Sequence, residues 1–337
     1  MQVFLYEFVT GGGWYSYGDE PCPGSLLREG RTIVEALAAD LAAVDDVSVS
    51  LLQDRHIEPL AVENAEVVTV ETRFQELAAF KRFAADADWT IVIAPEISGF
   101  LAQRAAIVEK VGGRLLGPSL EVIRLASDKH ALAEFLAERG VRTPKGIAIE
   151  RGEAVPQDFP FPAVLKPRDG AGSWKIQVLG SADQAEQIVE PGRLESYCPG
   201  NAASVAFLCG PDGNLPLVPC EQRLSDDGRL SYLGGSLPLS QDLADRAVAI
   251  ASSAMETLGP MHGYLGVDLV LGNASDGSED VIIEINPRLT TSYVGLRAAT
   301  ESNLAEAMLR IAEAREISIA WLDRKVQFDS AGGVTID

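Results

Sequence analysis

Apolar and polar positions follow two rhythms along this chain. Short apolar runs at 3–8, 47–52, 67–70 and 89–94 have strand length and end in polar or glycine-rich turns. Between them, 26–43, 74–87 and 101–111 carry apolar residues at helical spacing. Strands alternating with helices predict a parallel sheet with crossover helices, whose ligands sit at the carboxyl ends of the strands. That places Gly11, Gly12 and Gly13, after the first run, on one rim with 95–98, after the fourth.

The rhythm changes at Gly117-Pro118-Ser119. Helices are predicted over 120–125 and 128–139, the second stopped by Gly140. The text then becomes strand-rich, at 146–150, 163–166, 175–179, 193–197, 203–209 and 217–221. A helix over 242–258, paired strands at 263–271 and 280–285 and a last helix over 303–315 complete it. The fold class is α/β followed by α+β, with no internal repeat and no low-complexity tract.

Composition narrows the function. Of 337 residues, 47% are hydrophobic, and 28 Lys+Arg against 49 Asp+Glu give a net charge of −21. Such a chain can build a core, but phosphate polymers and anionic membranes repel it, so neither nucleic acid nor membrane is an expected partner. A local cluster of basic side chains can still hold a small anion. The first residues lack the basic start of a secretory signal, and no apolar run reaches the roughly 20 residues of a membrane helix. Cys22, Cys198, Cys209 and Cys220 are scattered without a CxxC pair, which predicts free thiols in a reducing cytoplasm and no zinc site.

The densest chemistry lies near the end. Asp268 sits in GVDLVLG; Glu284, Asn286 and Arg288 alternate in VIIEINPRL and would share one face of a strand. If the two strands pair antiparallel, Asp268 faces Glu284 and Asn286. Two carboxylates and an amide oxygen backed by Val and Ile suit Mg²⁺, and Arg288 beside them suits a transferred anion. A surface ion pair between Glu284 and Arg288 is the plainer alternative. Lys166 leaves an apolar run and precedes Pro167-Arg168-Asp169-Gly170-Ala171-Gly172-Ser173, where turned backbone N–H groups could cradle phosphate. The spacing is neither a P-loop nor a dinucleotide fingerprint. Lys129 stands at a helix start, where the helix dipole disfavours a cation. Exposed backbone around 193–200 could meet the edge of an adenine.

Taken in order, Lys129, Lys166 with its glycine loop, Glu195–Cys198, Asp268 and Glu284-x-Asn286-x-Arg288 resemble the ATP-grasp superfamily over about 118–315. The first 117 residues resemble its Rossmann-like pre-grasp domain. The resemblance implies a pre-grasp domain over 1–117, a small subdomain over 118–195 and a metal-binding subdomain over 196–325, with ATP between the last two. It implies that Lys129, Lys166, Gly170, Gly172 and Ser173 contact ATP, and that the backbone of Glu195, Ser196, Tyr197 and Cys198 forms the adenine hinge. Asp268, Glu284 and Asn286 would hold Mg²⁺ or Mn²⁺, as two ions, while Arg288 and Lys166 act catalytically on the transferred phosphoryl group. The acid that many relatives place for the ribose is missing from Asn201-Ala202-Ala203-Ser204.

A narrower resemblance joins Glu7–Gly13, Ala94-Pro95-Glu96 and Asn286–Tyr293 to the tyramine–glutamate ligase group, which makes γ-glutamyltyramine for methanofuran-type coenzymes of one-carbon metabolism. It implies an acceptor pocket of Gly11, Gly12, Gly13, Tyr15, Glu96, Ser292 and Tyr293. The expectation is a cytoplasmic C–N ligase that uses ATP and an acyl phosphate to join glutamate to tyramine or tyrosine. Its partners would be small amines and amino acids, and the chain admits a homodimer. Another amino-acid or dipeptide ligase, or a nucleotide-binding module without catalysis, are the alternatives.

Overall fold

The computed structural model describes residues 1–18, 22–170, 175–185 and 188–337. The first lobe contains β1 (Gln2–Glu7), α1 (Gly24–Ala42), β2 (Ser48–Asp54), β3 (Ala65–Val70), α2 (Arg73–Asp86), β4 (Trp89–Ile93) and α3 (Phe100–Lys110). Its four strands are parallel in the order β3-β2-β1-β4, as the alternating pattern predicts. Helices cover both faces, so every residue of β4 is buried and the strand is apolar apart from Thr90.

Two helices follow, α4 (Leu120–Ala126) and α5 (Lys129–Glu138). Ser119 caps the first through the Val122 N–H, and Asp128 caps the second through His130 and Ala131. The small lobe is an antiparallel sheet of β5 (Gly146–Ile149), β6 (Ala163–Pro167), β7 (Gln177–Leu179) and β8 (Gly192–Ser196), in the order β5-β8-β6-β7.

The third sheet begins with β9 (Asn201–Gly210), β10 (Gly213–Pro216), β11 (Cys220–Leu224) and β12 (Tyr232–Leu237). Here 217–221 is not one strand. Pro216 and Pro219 lack N–H donors, so the ladder breaks between β10 and β11. Next come α6 (Gln241–Thr257), β13 (Gly263–Leu271), β14 (Val281–Asn286), α7 (Ser292–Ala298), α8 (Leu304–Ala312), β15 (Val326–Asp329) and β16 (Val334–Ile336). The order is β14-β13-β9-β11-β12-β15-β16, with β10 beside β9. The sheet therefore continues past 325 into the last residues of the chain.

One apolar cluster joins α1 and β1 to β15 and α8, with Leu37, Leu5, Phe328 and Met308 as members. The first lobe and the third sheet are thus welded through a shared core. The small lobe has its own core around Leu165, Leu179 and Leu194.

Candidate active site

A cavity of about 1390 Å³ lies between the three sheets. Its floor is the β13–β14 pair. These strands are antiparallel, Asp268 stands directly opposite Glu284, and Gly266 stands opposite Asn286. The missing side chain at 266 leaves room beside Asn286 and Thr290. Val267, Leu269, Ile282 and Ile285 fill the core beneath the half-buried acids, with a register shift between Asp268 and Leu269 that leaves Ile283 unpaired.

The acids are not equivalent. Asp268 accepts from Gln222 Nε2 and Asn286 Nδ2, each at 2.9 Å. Burial first, and then the negative charge of Glu284, push its carboxyl well above the usual range. Glu284 is also desolvated, but the charges of Lys129 and Lys166 outweigh that and hold it below its ordinary value. Two facing half-buried acids repel, and a divalent cation removes that repulsion. Among the described residues no three His, Cys, Asp or Glu side chains converge on a metal position. An ion here would draw on Asp268, Glu284 and Asn286 and complete its shell from phosphate and water, which suits Mg²⁺.

The basic side chains sit opposite, each held by an acid. Lys129 Nζ lies 3.0 Å from Glu284 Oε2 and donates to the Gly170 carbonyl at 2.9 Å. The solvated lysine that a helix start would suggest is absent, because Glu284 and then Glu96 keep a buried ammonium charged. Lys166 Nζ is 2.5 Å from Glu195 Oε1, and Arg193 donates to the other oxygen of Glu195 at 2.8 Å. Arg288 lies 3.0 Å from Glu96 through Nε and donates from Nη2 at 3.2 Å. The Nε contact is misaligned, so neither Nε nor Glu96 Oε1 has a hydrogen bond. Glu96, in the loop after β4, does not line the cavity and meets the site only through Arg288.

The 195–198 segment lines the cavity, but not all of its backbone is free. The Ser196 N–H donates to Lys145 O and the Tyr197 N–H to Pro162 O. Among the described residues no acceptor meets the Cys198 N–H. Gly170 lines the cavity; Gly172 and Ser173 lie outside the described residues.

The predicted acceptor residues divide. Ser292 lines the cavity and is fixed by Tyr264 and Thr290. Gly11, Gly12 and Gly13 do not line it: they form a buried turn whose Gly11 and Gly13 N–H groups bond to Glu7 O and Phe8 O. A Cβ at Gly13 would stand 2.4 Å from the Phe8 ring, so this glycine serves packing. Tyr15 turns away to Asp54 at 2.6 Å, and Tyr293 donates to Asp40 on α1 at 2.7 Å. The cavity is walled instead by Trp14 and Tyr17, ring centroids 4.4 Å apart, by Leu26 and Glu29 of α1, and by Ser330 and Ala331 between β15 and β16. Sequence reading misses these. Only the aromatics directly after the glycine run signal anything, since Glu29 looks like any polar position on an amphipathic helix.

The four cysteines are free thiols, and no described helix is long and apolar enough to cross a membrane.

The ATP-grasp domain family matches residues 126–292, and the pre ATP-grasp 3 domain matches 47–123. The tyramine–L-glutamate ligase of Methanocaldococcus fervens is 26% identical over 322 residues, covering 94% of this chain and 96% of that protein. An ATP-grasp superfamily protein from Archaeoglobus fulgidus superposes with a TM-score of 0.73 at 22% identity, covering 98% of this chain and 92% of that one. The ADP complex of N5-carboxyaminoimidazole synthetase from Staphylococcus aureus gives 0.71 at 12% identity, covering 97% and 81%.

Proposed function

The chain is an ATP-grasp protein with a pre-ATP-grasp domain in front, and from that premise we propose that this ATP-dependent carboxylate–amine ligase joins L-glutamate to tyramine or tyrosine, as in methanofuran-type coenzyme assembly. One observation carries the reading: the facing acids of β13 and β14 and three cations, Lys129, Lys166 and Arg288, meet at one cavity. The Trp14–Tyr17 wall suits an aromatic acceptor.

A carboxylate does not acylate an amine, because oxide is a poor leaving group; phosphorylation by ATP makes it one that leaves. The protein's task is then positioning and charge neutralisation. In this reading Lys129 and Lys166 hold the phosphates, and the Cys198 N–H orients the adenine. Asp268, Glu284 and Asn286 would hold Mg²⁺ or Mn²⁺, as one ion or two, which when bound neutralises phosphate charge. Arg288, loosely held by Glu96, steadies the transferred phosphoryl group. Each lysine would exchange a carboxylate, Glu284 or Glu195, for a phosphate.

The test is ATP-dependent phosphate release with glutamate and a panel of amines, with product mass determined. Glutamate with tyramine or tyrosine should give a γ-glutamyl amide. Turnover with other pairs of amino acids and none with glutamate plus tyramine or tyrosine would move the assignment to a dipeptide ligase.

A further inference from the structure

Among the carboxylates of the cavity that this scheme does not use, Glu29 is the one on the first lobe. Glu29 lies on α1, facing the third sheet from the first lobe. Its Oε1 accepts from Thr291 Oγ1 at 2.6 Å. Among the described residues no donor meets its Oε2, and no basic side chain pairs with it. Most other acids at this cavity are engaged: Glu195 by Lys166 and Arg193, Glu284 by Lys129, Glu190 by Lys175, Asp169 by the Ser98 N–H and Glu221 by Ser236, while Asp226 lies in the turn between β11 and β12. Glu29 is too far into α1 to cap the helix, which begins at Gly24 without a side-chain cap.

Its place is informative. The charge of Glu29 is felt by Arg288 and by Tyr232, and Tyr232 in turn feels Asp268. Its bond to Thr291 and its place in the lining with Ser292, Leu26 and Ala331 put Glu29 on the wall of the reaction cavity. An unpaired carboxylate oxygen there offers a seat for a cation. Of the reactants in the proposed reaction, only the amine and the α-amino group of glutamate are cationic, and only the amine must lose protons.

We propose that Glu29 seats the acceptor's ammonium group and takes its first proton. This rests on the ligase reading above. The ammonium passes one proton to Glu29, and the freed nitrogen lone pair forms the C–N bond at the acyl phosphate carbonyl. The bond from the carbonyl carbon to the phosphate oxygen breaks with its electron pair on phosphate, which takes the second nitrogen proton. The products are amide, hydrogen phosphate and a protonated Glu29 that returns its proton to solvent. Thr291 holds Oε1, which leaves Oε2 as the accepting atom.

Hydroxylamine separates this role from carboxylate activation, because it is uncharged at neutral pH and traps acyl phosphates as hydroxamates without a base. In Glu29→Gln, which keeps the size of the side chain and the bond to Thr291, amine-dependent kcat/KM should fall about a hundredfold while hydroxamate formation stays within about twofold. Glu29→Asp should recover part of the amine reaction, and the melting temperature with Mg-ATP should match wild type. Equal loss of both reactions, or loss of neither, would overturn the assignment and leave the ligase reading standing. If wild type itself forms no hydroxamate from glutamate or any other carboxylate tried, the ligase reading falls and this role with it.

Discussion

Single residues decide the charge balance of the cavity. Glu284 faces Asp268, lies against Lys129 and feels Lys166. Glu284→Gln should cut turnover by more than the roughly 10–100-fold that loss of an outer-shell partner costs a metal site. It should also abolish the rise in melting temperature with Mg-ATP, and retained turnover would remove Glu284 from the metal set. The raised carboxyl of Asp268 adds a pH dependence. Its folded pKa lies above its unfolded one, so its contribution to stability is full below the unfolded value and is lost as pH rises through the folded value. A cation competes with that proton, so Mn²⁺ affinity followed by electron paramagnetic resonance should climb with pH in the same range. Affinity that does not change with pH would contradict the pairing. These residues were visible in the sequence because alternation in VIIEINPRL puts Glu284 and Asn286 on one face whatever the fold around them. Glu29 was not, since a helix pattern cannot say which polar position meets a cavity wall built by another lobe.

At the scale of elements, the end of the chain matters more than its pattern suggests. The β15 strand pairs with β12 from Val326 to Asp329, and its Phe328 is 2% exposed. Three glycines make the seat: a Cβ at Gly235 or Gly295 would come within 2.8 or 2.3 Å of the Phe328 ring, and one at Gly234 would meet the Phe328 carbonyl at 2.1 Å. Gly234 also has φ +128, which L side chains rarely adopt. Phe328→Ala should cost about 3–5 kcal/mol in denaturant unfolding. Because the same hairpin carries Ser330 and Ala331 to the cavity, it should also raise KM for the amine more than KM for ATP. Equal changes would show that the hairpin only stabilises. The strand was hidden because four residues of alternating VQFD after a charged turn are too short to separate from a loop. Likewise, α7 spans seven residues without a side-chain cap, so only its packing against β12 and β15 makes it a helix.

Across the whole molecule, the distribution of cores predicts what moves. The first lobe and third sheet share one apolar cluster, so separating them exposes α1, β15 and α8 together. The small lobe buries its own cluster and meets the rest through polar links, including Arg168 with Asp128, Val178 N–H to Gly228 O and the Asp169 bond from Ser98. Polar links exchange readily with water, whereas a shared core does not. The β5–β8 sheet should therefore open as a unit at lower free energy than the rest, giving earlier native-state hydrogen exchange over 146–170 and 188–196. Leu165→Ala, which removes about 2–5 kcal/mol of small-lobe packing, should speed exchange there and leave α8 and β1 unchanged. A non-hydrolysable nucleotide with Mg²⁺ should slow it, because Lys166 belongs to the small lobe and Cys198 to the segment that joins it to the third sheet, which carries the acids of β13 and β14. Cooperative exchange of all three sheets at one free energy would show instead that the polar links hold as firmly as the core.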